Sequence, residues 1–167
     1  NKTISISNID ILKFDIENFK NIIVISNLPY NLGTKIILKF LRYNKNISEM
    51  IFMIQKEVAY KFDYKHGKIN KFKFITKLSS HYKRCFNVSN NVFFPKPKVV
   101  STVVKFKTKK NDINWKKVDN FTKLIFKNKR KKINNNINIK NIKIMEVGNK
   151  RVEQLNMKEL FAIYDFF

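Results

Sequence analysis

The chain has 167 residues, 44% of them hydrophobic, which suits one domain with a real core and excludes global disorder. Lysine and arginine number 35 against 12 acidic residues, and the net charge of +23 attracts polyanions, nucleic acid before an anionic membrane surface. A bias towards A/T in the genome, which enriches lysine and asparagine, explains this composition equally well. The single cysteine, Cys85, excludes intrachain disulfides and cysteine-cluster metal sites. We expect a cytoplasmic monomer with no metal ion and no membrane segment.

The predicted elements alternate between strands and helices up to about residue 109. The compact β-branched segment at 21–26 is typical of a strand buried on both faces, and Thr34 is placed to cap the helix that follows. This order indicates an α/β sheet, mostly parallel with an antiparallel edge. In chain order we predict strands at 3–6 and 21–26, a helix at 35–43, a strand at 50–55, helices at 56–62 and 71–80, and strands at 82–88 and 99–107.

Beyond a polar linker the pattern becomes helical, with helices predicted at 115–128, near 131–138 and at 157–167. We therefore predict two domains, a sheet domain at 1–109 and a small helical domain at 110–167. The first residue is Asn1 and not methionine, so we expect the natural protein to begin upstream.

The segment N-L-P-Y, residues 27–30, stands where the strand at 21–26 ends. Ligands of open α/β sheets bind at the carboxyl ends of strands. The amide oxygen of Asn27 and the carbonyl oxygen of Leu28 can accept the two hydrogens of an adenine amino group, which leaves its lone pair aimed at a methyl donor. Pro29 stiffens the turn, and Tyr30 can stack on the base. This is catalysis by orientation and needs no strong general base.

Four segments together resemble the rRNA adenine dimethyltransferases, and within them the KsgA type that acts on small-subunit rRNA. The pair formed by NLPYN and FxPxPKV is specific, and the basic segment is weaker support. The segments are NLPYN at 27–31, MIQKEVA at 53–59, FxPxPKV at 93–99 followed by STVV, and FKNKRKKINNNI at 126–137.

The resemblance implies a Rossmann-like class I methyltransferase sheet that uses S-adenosylmethionine, followed by a small helical domain that contacts RNA. It places Asp10 and Ile11 beside the adenine of the cofactor, with Asn27 also near the cofactor. It places Tyr30 and Phe93 on the two faces of the target adenine. Gly33 and Val100 depart from the usual Ser or Thr and the common Asp of the family. No glycine-rich cofactor loop is present, so we expect a fragment of an enzyme or a degraded version of one.

The densest cationic cluster is expected to contact RNA phosphates without reading sequence. A solvated helix end is the alternative explanation. The cluster consists of Lys127, Lys129, Arg130, Lys131 and Lys132.

The function predicted is dimethylation of the 6-amino group of adenosines in the rRNA of the small ribosomal subunit, with a role in ribosome biogenesis. Two alternatives stay open. One is a large-subunit rRNA methylase of the antibiotic-resistance type, and the other is a non-catalytic RNA- or DNA-binding relative, such as an assembly or transcription factor. A DNA adenine methylase ranks below both, because such enzymes commonly carry an acid and two prolines where this chain has N-L-P-Y.

Overall fold

A computed structural model describes residues 4–128, 130–137 and 145–167 of the chain. Short 3₁₀ turns lie at Asn90–Val92, Ile133–Asn135 and Val152–Gln154. The strands and helices are β1 (Ile22–Asn27), α1 (Gly33–Arg42), β2 (Ile47–Gln55), α2 (Lys56–Phe62), α3 (Lys71–Ser79), β3 (Ser80–Val88), β4 (Ser101–Thr108), α4 (Trp115–Ile125), α5 (Met145–Gly148) and α6 (Met157–Phe166).

The four strands of the described residues form one mixed sheet in the order β1-β2-β4-β3. β1 and β2 are parallel, whereas β4 runs antiparallel to both β2 and β3. The predicted strands at 21–26, 50–55, 82–88 and 99–107 are all present, and β2 starts three residues earlier than predicted. Among the described residues only one strand pair is parallel, so the expectation of a mostly parallel sheet is wrong here. Residues 4–6, within the strand predicted at 3–6, carry no strand.

β1 is not buried on both faces, contrary to the sequence expectation. Ile22 and Val24 pack against the core, while Ile23 and Ile25 are 61% and 73% exposed. The reason is that β1 is an edge strand of the described sheet, and the described helices cover only one of its faces. A run of β-branched residues alone does not show whether one face or both faces of its sheet are covered.

The helices that follow β1 and β2 bury one apolar face each. α1 buries Ile36, Ile37, Phe40 and Leu41. It begins at Gly33 after Leu32, whose side chain makes no cap, so the predicted capping role of Thr34 is wrong. The helix starts two residues before the predicted residue 35, so the amide of Ile36, which Thr34 would have capped, already donates to the carbonyl of Leu32 at 3.0 Å. α2 has its predicted bounds and packs against β2 and β4.

The helical part beyond residue 110 shares a hydrophobic core with the sheet part. Phe74 of α3 is fully buried, and its ring centroid lies 5.2 Å from that of Phe121, 5.0 Å from Phe161 and 5.2 Å from Tyr164. α4 and α6 therefore pack on α3 through aromatic side chains. The division into domains at 109/110 stays a prediction.

One helix predicted in this part is wrong. Residues 131–137 form a bend, a β-bridge between Lys132 and Arg151, and a short 3₁₀ turn rather than a helix, and residue 138 lies outside the described residues. In the part of the chain that the structure describes, no helix is long and apolar enough to cross a membrane.

Candidate active site

A cleft opens at the edge of the sheet where β1 and β2 end and β4 begins. Parallel pairing sets Asn27 beside Met53, and antiparallel pairing sets Gln55 beside Ser101. The segment that joins β3 to β4 therefore returns over the carboxyl ends of both parallel strands, the usual place for a ligand in such sheets. The cleft is lined by Asn27, Leu28, Pro29, Tyr30, Met53, Phe93, Phe94, Pro95, Pro97 and Ser101.

The N-L-P-Y segment forms a tight turn that is fixed at both ends. The amide of Leu28 donates to the carbonyl of Met53 at 3.1 Å, which continues the pairing of β1 with β2 by one residue. The buried side chain of Leu28 anchors the turn in the core, while Asn27 stays exposed. The carbonyl of Pro29 then accepts the amides of Leu32 and of Gly33, the first residue of α1. The polar groups of Asn27 thus face solvent from a backbone that both the sheet and a helix hold.

Three aromatic side chains line this cleft. Tyr30 is 48% exposed, Phe93 is half-buried, and Phe94 is fully exposed. The side-chain amide of Asn90 donates to the carbonyl of Pro97 at 3.3 Å, and the amide of Lys56 donates to the carbonyl of Val100 at 3.0 Å. Tyr30 and Phe93, the pair predicted from the sequence, thus line the same cleft.

Sequence reasoning missed two apolar residues of the cleft, Phe94 and Met53. Phe94 stands within F-F-P-K-P-K-V, and the peptide bond that joins it to Pro95 is cis. Its place between Phe93 and Pro95 was the available signal. Met53 carried no signal, because it becomes part of the cleft only through its pairing with Asn27.

Asp10 and Ile11 lie in a separate turn and do not line the cleft. The carbonyl of Asp10 accepts the amides of Lys13 and Phe14 at 2.8 and 3.0 Å, and its carboxylate accepts the amide of Leu12 at 2.9 Å. Asp10 and Ile11 are exposed. The structure thus presents a carboxylate and a neighbouring backbone amide from one rigid turn.

The predicted basic cluster is exposed in its four described members, Lys127, Arg130, Lys131 and Lys132, and Lys129 lies outside the described residues. Three of the four line a shallow cleft with Phe126 and Asn128. Lys127 also borders a neighbouring cleft between α3 and α4, which carries Lys71 and Lys123 on its walls.

A network of charged side chains lies outside these clefts, at the end of α2. The carboxylate of Asp63, which is 3% exposed, contacts Nδ1 of His66 at 3.0 Å and Nε of Arg84 at 2.9 Å. Burial acts to raise the pKa of Asp63, but the hydrogen bonds from His66 and the Lys65 amide, with the charges of His66 and Arg84, hold it below its ordinary value. Within the described residues, no group of three or more potential metal ligands is found.

Comparison with known proteins decides the family. The sequence model described as ribosomal RNA adenine dimethylase matches residues 1–167. The chain belongs to this family. It is 41% identical over 186 residues to the ribosomal RNA small subunit methyltransferase A of Malacoplasma penetrans, covering 98% of this chain and 67% of that relative. It is 34% identical over 151 residues to the enzyme of the same name in Borreliella burgdorferi (strain ZS7), covering 84% of this chain and 53% of that relative.

Solved structures give the same fold. A dimethyladenosine transferase from Plasmodium falciparum matches with a TM-score of 0.72 and 18% identity, over 96% of this chain and 72% of that one. The 23S rRNA methyltransferase ErmE matches with a TM-score of 0.73 and 16% identity, over 95% of this chain and 70% of that one. The chain thus has the Rossmann-like class I methyltransferase fold of this family, and it spans 53% to 67% of the length of the two curated relatives above.

Proposed function

We propose that the chain carries the target-base site of an enzyme that dimethylates the 6-amino group of adenosines in the rRNA of the small ribosomal subunit. The observation that carries the proposal is the cleft in which Asn27, Leu28 and Tyr30 meet the loop of Phe93. The relatives of highest identity named above support the small subunit as the substrate. A monomer acting in the cytoplasm during ribosome biogenesis suits this substrate and the free thiol of Cys85.

The cleft suits a flipped adenine by its shape and its acceptors. A target base must leave its stack to reach an enzyme, and aromatic side chains then replace the lost stacking. Tyr30 and Phe93 supply those rings in our proposal, and Pro29 holds the turn rigid. The oxygens of Asn27 and Leu28 accept the two amino hydrogens and direct the nitrogen lone pair out of the ring plane. Because the turn is fixed before the base arrives, little reorganisation is needed in the transition state.

The methyl donor proposed is S-adenosylmethionine, whose sulfonium group makes a bound methyl group electrophilic. The residues present fit its adenine. A carboxylate acceptor on Asp10 stands next to the amide of Ile11, which donates to no oxygen of the described residues. An acceptor beside a donor matches the amino group and the adjacent ring nitrogen of adenine. Asn27 completes the proposed cofactor contacts at the end of β1.

The basic cluster is proposed to hold the rRNA backbone. Exposed lysines around a concave surface neutralise phosphates and supply affinity that depends on salt concentration. Lys127 links the two neighbouring clefts, so the proposed surface extends from Arg130 and Lys131 towards Lys123 and Lys71.

The test uses the full-length gene product, tritiated S-adenosylmethionine and ribosomal subunits isolated without adenosine methylation. We expect label in dimethyladenosine of the small-subunit rRNA and none in the large-subunit rRNA. Replacement Asn27→Ala is expected to lower the turnover rate by about 100-fold, as loss of one preorganised polar contact does elsewhere. The matched control is Asn120→Ala, which removes an exposed amide from α4.

Each other outcome identifies an alternative. Label in the large subunit alone would favour a methylase of the ErmE type, whose structure matches this fold equally well. Binding of small subunits with no transfer of label would favour a non-catalytic RNA-binding relative. An unchanged rate in Asn27→Ala would refute the role proposed for Asn27.

A further inference from the structure

The side chain of Lys39 leaves α1 and ends among backbone carbonyl oxygens of the turn that contains Asp10. Its Nζ donates to the carbonyl of Ile11 at 2.9 Å, to that of Leu12 at 3.0 Å, and also to that of Phe14. An ammonium group has three hydrogens, so these three acceptors use its whole donor capacity. The half-buried Lys39 is the point at which α1 holds this segment.

A charged donor suits three carbonyl oxygens that converge on one point. Backbone oxygens that converge on one point repel one another through their dipoles, and a charged donor removes that cost. Lys39 also lies in the last turn of α1, where a positive charge interacts favourably with the helix dipole.

Helix α1 therefore forms hydrogen bonds with two separate turns. Its first amide, that of Gly33, closes the N-L-P-Y turn on the carbonyl of Pro29, and Lys39, about 9 Å further along the axis, fixes the Asp10–Phe14 turn. We propose that Lys39 is a positioning residue that sets the cofactor-binding turn relative to the target-base turn. The cofactor part of this inference rests on the proposed function, whereas the part that concerns the turn itself does not.

The first measurement needs no cofactor. Amide hydrogen exchange is compared between the wild type and Lys39→Met, which keeps the aliphatic chain and removes the charge. The amides of Leu12, Lys13 and Phe14 are bonded within the turn, so we expect them to exchange about ten-fold faster in the variant. Lys35→Met is the matched control, because the exposed Lys35 lies one turn earlier on α1 and donates no hydrogen bond to the described residues of this segment. Should Lys39→Met fail to fold, Lys39→Gln replaces it.

The second measurement is the affinity for S-adenosylmethionine in the full-length gene product. We expect binding about ten-fold weaker in Lys39→Met and close to wild type in the control Lys35→Met. Lys39→Arg retains the charge and is expected to recover most of the affinity.

The outcomes separate the two proposals. Unchanged exchange of residues 12–14 would overturn the inference, as would faster exchange with wild-type cofactor affinity. Equal loss in Lys35→Met would also overturn it, because the effect would then be one of net charge. A wild-type protein that binds no S-adenosylmethionine would overturn the proposed function, while the exchange data would still decide whether Lys39 holds the turn.

Discussion

Replacement of Phe74 by alanine tests whether the sheet part and the helical part form one folding unit. The Phe74 ring is fully buried between α3 and the helical part, at 5.0–5.2 Å from three aromatic rings. Phenylalanine-to-alanine changes in cores cost about 3–5 kcal/mol, and each aromatic pair adds about 0.5–1.5 kcal/mol. Because three aromatic pairs are lost together, we expect the free energy of unfolding to fall by about 5 kcal/mol, near the upper end of the range for such changes. A domain of ordinary stability would be close to unfolding.

Two spectroscopic probes measure the destabilisation by Phe74→Ala during urea unfolding. Trp115, the single tryptophan, lies at the start of α4 beside Arg42 of α1 and reports the contact of the helical part with the sheet part, whereas far-UV circular dichroism reports the whole chain. Because Phe74 joins both parts, we expect both transitions to move to lower urea by the same amount. The control Phe86→Ala removes a ring that is 62% exposed and should change the free energy of unfolding by about 0.5 kcal/mol or less.

Two results would refute this reasoning. A loss below about 1.5 kcal/mol would show that the ring cluster contributes no more than an ordinary partly buried contact. Separate transitions for the two probes in the wild type would show that residues 110–167 fold as an independent domain, as the sequence-based boundary suggested.

The remaining predictions concern the segment between α2 and α3 and the first residue of α1. Asp63→Asn should cost about 2 kcal/mol at neutral pH, less than a fully buried pair, because Arg84 and His66 are partly exposed. Since the folded-state pKa of Asp63 lies below its ordinary value, this contribution is present above about pH 4 and is lost as the pH falls through the folded-state pKa; urea unfolding at pH 3–7 measures it. Gly67 has φ of +70°, so Gly67→Ala should cost about 1 kcal/mol in thermal unfolding. Gly33→Ala should instead stabilise the chain by about 0.5 kcal/mol, because Gly33 begins α1 and its new methyl group would meet Leu28 Cβ at an ordinary 3.6 Å.

The sequence predicted those features that depend on neighbouring residues. The bounds of α2 follow from local pattern, as do the strands that carry Asn27 and Ser101. The family resemblance carried by the two proline motifs predicted that Tyr30 and Phe93 share a site, and the structure places both in one cleft. The roles assigned to these residues stay predictions.

The errors arose where the answer depends on distant residues. Whether a face of β1 is exposed depends on which elements cover the sheet. The residue type of Ile23 does not reveal that its side chain is exposed. The segment near Ile133 was predicted as a helix from composition, but its backbone is held by a bridge between Lys132 and Arg151. The cap predicted at Thr34 is wrong because α1 already starts at Gly33, so that the amide of Ile36 donates to the carbonyl of Leu32.

Strand order is the step that sequence reasoning could not supply, and the site depends on it. β4 lies between β2 and β3, so Ser101 pairs with both Gln55 and Val88. The connection between β3 and β4 must then cross the sheet edge directly beside β2, next to the end of β1. Had β3 taken the place beside β2, β4 would have started one strand further from Asn27, about 5 Å away in the direction of the strand pairing. Phe93 and Tyr30 face one cleft because the last strand of the sheet inserts beside β2.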